Sequence, residues 1–186
     1  MSVEDQALVL LETLSARVDQ HAARAAETLG AKLSCHRGCT GCCQREVTVF
    51  PVEAERLRRH VAEHGAPGAA AGVGCPMLGA DGGCRVYEVR PMICRSHGLP
   101  IRFASTGAPE DPARRTPGTT SPATEARDVC PLNADAGLDV WAVDAGALLN
   151  IDVLNAQLFA INRLFGRGDE RVPVGRLLPP AAEAPR

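Results

Sequence analysis

Aromatic side chains are scarce, at 3% of the 186 residues, so a core has to be built from Leu, Val, Ile and Ala. Lysine is nearly missing: Lys32 is the only one, and the rest of the basic charge is arginine. With a net charge of −2 and a pI near 6.2, the chain lacks the basic footprint of a nucleic-acid binder, and no nucleic-acid partner is expected. It also lacks a run long and apolar enough to span a bilayer, so no membrane partner is expected. The N-terminal residues show no basic region leading into an apolar run, and they carry Glu4, Asp5 and Glu12, which is not the pattern of a secretory signal. These absences predict a cytoplasmic protein, whose thiols stay reduced, and argue against an export-dependent disulfide framework.

Cysteine, by contrast, is abundant and clustered. The eight are Cys35, Cys39, Cys42, Cys43, Cys75, Cys84, Cys94 and Cys130, with none in the first 34 or the last 56 residues. Around them the hydrophobic pattern predicts helices. Ala7, Leu11, Leu14, Val18, Ala22, Ala25 and Leu29 recur at steps of four and three, giving an amphipathic helix over 3–29. Ser2 with Asp5 resembles a cap, and Gly30 ends the helix. Pro51 suits the first turn of a second helix running to His64, with Gly65 as its stop. Its His60 and His64 stand four residues apart but lack an acidic neighbour motif, and they read as exposed. A last helix is expected over 144–165, capped by Asp144, with a stripe of Ala147, Ile151, Leu154, Leu158, Ile161 and Phe165.

Between these lie loops. Val47–Phe50 reads as a short strand. The Asp81-Gly82 turn signal predicts a hairpin joining Met77–Leu78 to Arg85–Tyr87, and Pro91 opens a short helix carrying Cys94. Residues 106–127, rich in Pro, Thr and charge, read as a loop, and 167–186 as a loose tail. The fold expected is one mainly α-helical domain, 1–186, with an N-terminal helix (1–30) and irregular cysteine-rich loops (35–130) containing one short β-hairpin. A C-terminal helix follows, and the terminal helices are a candidate surface for oligomerisation.

Thiolates are soft donors that suit zinc and iron–sulfur clusters. Cys35-x3-Cys39-x2-Cys42 places several sulfurs on one tight turn, with Gly38 and Gly41 permitting the bends. Cys42 and Cys43 are adjacent, and neighbouring side chains usually diverge, which points to two metals or a bridging thiolate. Eight cysteines at four ligands per closed site would make two sites; one four-cysteine site with spare thiols is the alternative. His36 and His97 are candidate substitute ligands. Arg37, Arg45, Arg85, Arg90 and Arg95 flank the cysteines and are placed to offset thiolate charge, while Tyr87, the only tyrosine, is a candidate for a hydrogen bond to sulfur.

CHRGCTGCC at 35–43, followed by CPML and DGGCRVYEVRPMICR within 75–95, resembles the YkgJ-like, or CxxCxxCC, family of zinc- or iron-chelating domains. Cys35, Cys39, Cys42 and Cys43 fill its first cluster, and Cys75, Cys84 and Cys94 its second. Tyr87, Arg90, Pro91 and Arg95 match its other positions, and Cys130 would be the eighth cysteine. The cysteine region is similar as well to that of a flagellin lysine N-methylase. The resemblance implies metal chelation by all eight cysteines.

Three functional readings compete. The first is an iron–sulfur protein, with a 4Fe-4S cluster, that acts on a redox partner or modifies a protein substrate. The second is a zinc-stabilised scaffold holding one or two ions without catalysis. The third is a radical-SAM enzyme, disfavoured because Gly41 stands where an aromatic is usual and no strand–helix series follows. The bunched Cys35–Cys43 group favours the first. No catalytic constellation is evident: the chain has no Gly-x-Ser-x-Gly, phosphate loop or His-Glu-x-x-His, and Glu53 and Glu88 stand as lone carboxylates.

Overall fold

A computed structural model describes residues 1–36, 38–44, 47–65, 74–79, 81–105 and 124–177. Arg37 and Arg45, and the expected loop over 106–123, lie outside the described residues. The chain divides into two compact units where the sequence reading has a single domain. One comprises Met1–Asp19, Cys35–His97 and Gln157–Arg186, the other Gln20–Ser34 and Gly98–Ala156. The fold is mainly α, as expected.

In the first unit, helix α1 (Val3–Leu29) starts where Ser2 and Asp5 bond reciprocally: the Asp5 N–H donates to Ser2 Oγ at 3.1 Å, and the Ser2 hydroxyl and N–H donate to Asp5 Oδ2 at 2.7 and 3.2 Å. Ala7, Leu11, Leu14 and Val18 of its stripe are buried. Strand β1 (Thr48–Val49) leads into helix α2 (Pro51–His64), and both ranges agree with the sequence reading. Glu53, in the first turn of α2, accepts the Phe50 N–H at 3.0 Å, so one helical donor finds a side chain in place of water. Val49, Ala54, Leu57, Val61, Met77, Val86, Val174 and Leu177 form the apolar core, and Cys75 and Cys84 pack against it.

Two expectations change here. Val172–Pro173 is strand β5, antiparallel to β1 with Val49 opposite Val172, and Val174 and Leu177 are buried. This part of the expected loose tail is therefore core, because its Val-Pro-Val run covers the apolar side of α2. The last helix, α5 (Ile151–Phe165), starts later than predicted. Asp144 opens only a single tight turn, Leu149–Asn150 is extended, and Asn150 Oδ1 accepts the Val153 N–H at 3.1 Å, which makes Asn150 the cap. Asn162 is fully buried on α5. It accepts the Val52 N–H at 3.3 Å and donates to the Gly168 carbonyl at 2.8 Å, which fastens α5 to the start of α2.

The second unit holds a small sheet that the sequence did not reveal. Strand β2 (Ile101–Ser105) runs antiparallel to β3 (Thr124–Asp128) and parallel to β4 (Leu149–Asn150). The end of the expected 106–127 loop is thus a paired strand. Short helix α4 (Pro131–Asp135) carries Asn133, which is fully buried, accepts the Ser34 N–H at 2.7 Å and donates to the Gly98 carbonyl. Leu138, Val143, Ala147 and Leu148 make this unit's core, flanked by Leu29 and Leu33. His21 is half-buried here, and burial lowers its pKa. No helix among the described residues is long and apolar enough to cross a membrane.

Candidate metal centre

The first cysteine group occupies a chain of tight turns. The Cys39 N–H donates to the His36 carbonyl at 3.0 Å and the Cys43 N–H to Thr40 at 2.9 Å, with a single tight helical turn over Gly41–Gln44. Gly38, at φ +99°, supplies a left-handed bend that a side chain would resist. The second group is joined to the first through the backbone: the Cys75 N–H donates to the Cys43 carbonyl at 2.7 Å.

From Cys75 the chain makes the small hairpin that Asp81-Gly82 predicted, but a shorter one. Leu78 bridges Cys84, the Arg85 N–H bonds the Met77 carbonyl at 2.9 Å, and Asp81 Oδ1 accepts the Gly83 N–H at 3.1 Å. Tyr87–Val89 is a tight helical turn, not strand, which ends the pairing early. Pro91 then opens the expected short helix, α3 (Met92–Ser96), and this helix places Cys94.

All eight cysteines are free thiols. Five of them share one electrostatic neighbourhood. The Cys43 thiol is pushed up to about 12, first by burial, then by the charges of Cys42, Cys75 and Cys84 and a side-chain hydrogen bond with Cys42. Cys94 is also pushed up to about 12, by burial first and then by Cys75, Cys43, Cys42 and Cys84. Burial, and the charge of Cys42, raise Cys75 as well. Cys42 and Cys43 both lie on one tight turn, and the charge of Cys42 acts on the Cys43 thiol. Cys35 is exposed and Cys39 half-buried on the first loop. Cys130 belongs to the second unit, where its carbonyl accepts the Asn133 and Ala134 N–H groups at the start of α4.

The donor set fits a thiophilic metal. Several ionised thiols in one half-buried place repel one another and lose hydration, which is why they hold their protons; a bound cation removes both penalties. Among the described residues, no three Cys, His, Asp or Glu side chains already converge on one ligating point.

The flanking arginines bond backbone carbonyls, carboxylates and an aromatic ring. Arg95 is buried, and its guanidinium donates to the Arg90 carbonyl at 3.0 Å, to the Glu88 carbonyl and to Asp19 on α1. Arg90 donates to the Tyr87 carbonyl at 3.3 Å, reaches Asp19 at 3.5 Å and lies over the Tyr87 ring at 4.0 Å. Arg85 pairs with Asp81 at 3.0 Å. His97 Nδ1 lies 2.9 Å from the Ile93 carbonyl, and the His60 and His64 rings stack on each other. Glu53, read as a lone carboxylate, is buried: one oxygen accepts the Phe50 N–H and the other accepts the Met92 N–H at 2.8 Å. Burial raises its pKa, against those two hydrogen bonds and the fields of Arg171 and Arg56. Its position three residues into α2 after Pro51 was the available signal for the cap, but nothing local announced the bond to Met92.

Residues 34–113 match the model of the CxxCxxCC family, described as a "putative zinc- or iron-chelating domain". No curated protein and no solved structure shows a significant match to the chain.

Proposed function

We propose that this protein holds an iron–sulfur cluster on the cysteines of its first unit, and uses it in a reducing, cytoplasmic setting for electron transfer with a redox partner or for modification of a protein substrate. The observation that carries the reading is the gathering of Cys42, Cys43, Cys75, Cys84 and Cys94 into one electrostatic neighbourhood. Soft thiolates in that number suit zinc or iron–sulfur ligation and exclude hard-cation sites. When bound, a cluster supplies one-electron chemistry. The chain's own residues supply the sulfurs and a half-buried setting that limits water. The cysteine-domain match over 34–113 supports chelation of zinc or iron.

One observation favours a second reading, zinc held for stability alone. Cys75 and Cys84 pack directly on the apolar core, so a metal there braces the fold whether or not it reacts.

Metal and acid-labile sulfide analysis of anaerobically purified protein, with its visible spectrum, separates the two. The proposal expects a brown protein with iron and sulfide in equal amounts. A colourless protein with stoichiometric zinc and no sulfide overturns it in favour of the scaffold.

A further inference from the structure

Helix α3, which carries Cys94, is five residues long. A helix of that length does not hold itself together in water, so the position of Cys94 depends on what grips α3 from outside. Two carboxylates do so, each far from the cysteines in sequence. At the N-terminal end, Glu53 Oε1 accepts the Met92 N–H at 2.8 Å while Oε2 holds the Phe50 N–H at 3.0 Å. One buried side chain thereby ties the start of α3 to the start of α2.

At the other end the grip runs through Arg95, the residue directly after Cys94. Its buried guanidinium reaches back to the carbonyls of Arg90 and Glu88, which lie on the stretch between Cys84 and α3, and outward to Asp19. Asp19 also takes Arg90 at 3.5 Å. A buried guanidinium without its carboxylate is costly, so Asp19 is what keeps Arg95 folded into this knot. Glu53 bonds backbone N–H groups, and Arg95 bonds backbone carbonyls and Asp19.

We infer that Asp19 and Glu53 are positioning residues of the metal centre, which act through α3 to set where the Cys94 sulfur stands relative to the other thiols. This rests on the metal-binding reading above. It assigns a role in ligation to two acids whose hydrogen bonds go to Phe50, Met92, Arg90 and Arg95, and it makes Arg95 a fastener of the backbone that carries a thiol.

The test is anaerobic titration of the full chain with cobalt(II), whose thiolate charge-transfer absorbance reports how many sulfurs bind each ion. Asp19→Asn and Glu53→Gln are compared with Cys94→Ser and with Leu14→Ala, which removes buried α1 packing and none of the carboxylate hydrogen bonds to α3. The inference expects both acid variants to bind cobalt about tenfold to a hundredfold more weakly, with absorbance per ion falling toward that of Cys94→Ser. Leu14→Ala, at a similar loss of melting temperature, is expected to keep the wild-type absorbance per ion. If Asp19→Asn fails to fold, Asp19→Glu and Glu53→Gln carry the test. Acid variants that match wild type in affinity and absorbance, or that differ only as Leu14→Ala does, overturn the inference. Wild-type protein that takes cobalt without sulfur ligation overturns the metal reading itself.

Discussion

Cys43→Ser is expected to strip the protein of at least one bound metal ion and to weaken the remaining binding by two to three orders of magnitude. Cys43 is at the centre of the thiol group: it feels the charges of Cys42, Cys75 and Cys84, and its carbonyl holds the Cys75 backbone. Serine has nearly the same shape but offers a hard, weakly acidic hydroxyl where a soft thiolate is needed. Thiolate sites of this kind bind structural zinc with about 10–16 kcal/mol, so one donor in four is worth about 3–4 kcal/mol. That corresponds to a factor of several hundred in affinity. The measurement is metal content after purification together with competition against a chromophoric chelator. Because a metal must displace the proton that Cys43 holds to high pH, affinity in the wild type is expected to fall as the solution is acidified. Wild-type metal content and affinity in Cys43→Ser would remove this residue from the centre. The same substitution at Cys130, in the other unit, reads whether the eighth cysteine takes part.

Removing the metal is expected to lower the melting temperature by about 10 °C or more and to open residues 35–97 to protease. The cysteines are not appended to a finished fold. Cys75 and Cys84 pack against the core cluster that includes Val49, Leu57 and Met77, so the metal's grip on sulfur is also a grip on the core. Binding energy of this kind is folding energy, and a domain's net stability is only about 5–15 kcal/mol. Even a few kcal/mol, at about 2–4 °C each for a chain of this size, gives the stated shift. Melting and limited proteolysis with and without a strong chelator check it. A metal-free protein with an unchanged melt and an unchanged digestion pattern would sink the structural part of the account.

The elements that the sequence revealed are those whose causes are local. Ser2, Asp5 and Gly30 bound α1, and Pro51 and Gly65 bound α2, because caps and stops act within a few residues. The Leu11, Leu14 and Val18 stripe was visible for the same reason. Elements whose causes are distant were missed. Strand β5 exists because Val172 pairs with Val49, 123 residues earlier, and two-residue strands carry no readable alternation. Strand β3 follows a Pro-rich stretch that hid it, and its sequence, TEARD, lacks an apolar face. Asp144 and Asn150 are both good caps, and the pairing of Leu149 with Ile101 decides between them.

The candidate site divides in the same way. Its chemistry was legible, because eight clustered thiols in this setting have few other uses. The arrangement was not: the backbone bond from the Cys75 N–H to the Cys43 carbonyl, which joins the two cysteine groups, has no local signal in the sequence. Arg95, Arg90 and Tyr87 were read beside sulfur because they flank cysteines in the chain. Asp19, the partner of both arginines, lies 76 residues before Arg95, so only the folded structure shows where their guanidiniums go.

The most direct test of the account is differential alkylation of the cysteines, read residue by residue by mass spectrometry, on metal-loaded and chelator-treated protein under anaerobic conditions. Cys42, Cys43, Cys75, Cys84 and Cys94 are predicted to be protected together when metal is present and to become reactive together when it is withdrawn. Alkylation of these five at the same rates with and without metal would contradict the assignment of the centre to them.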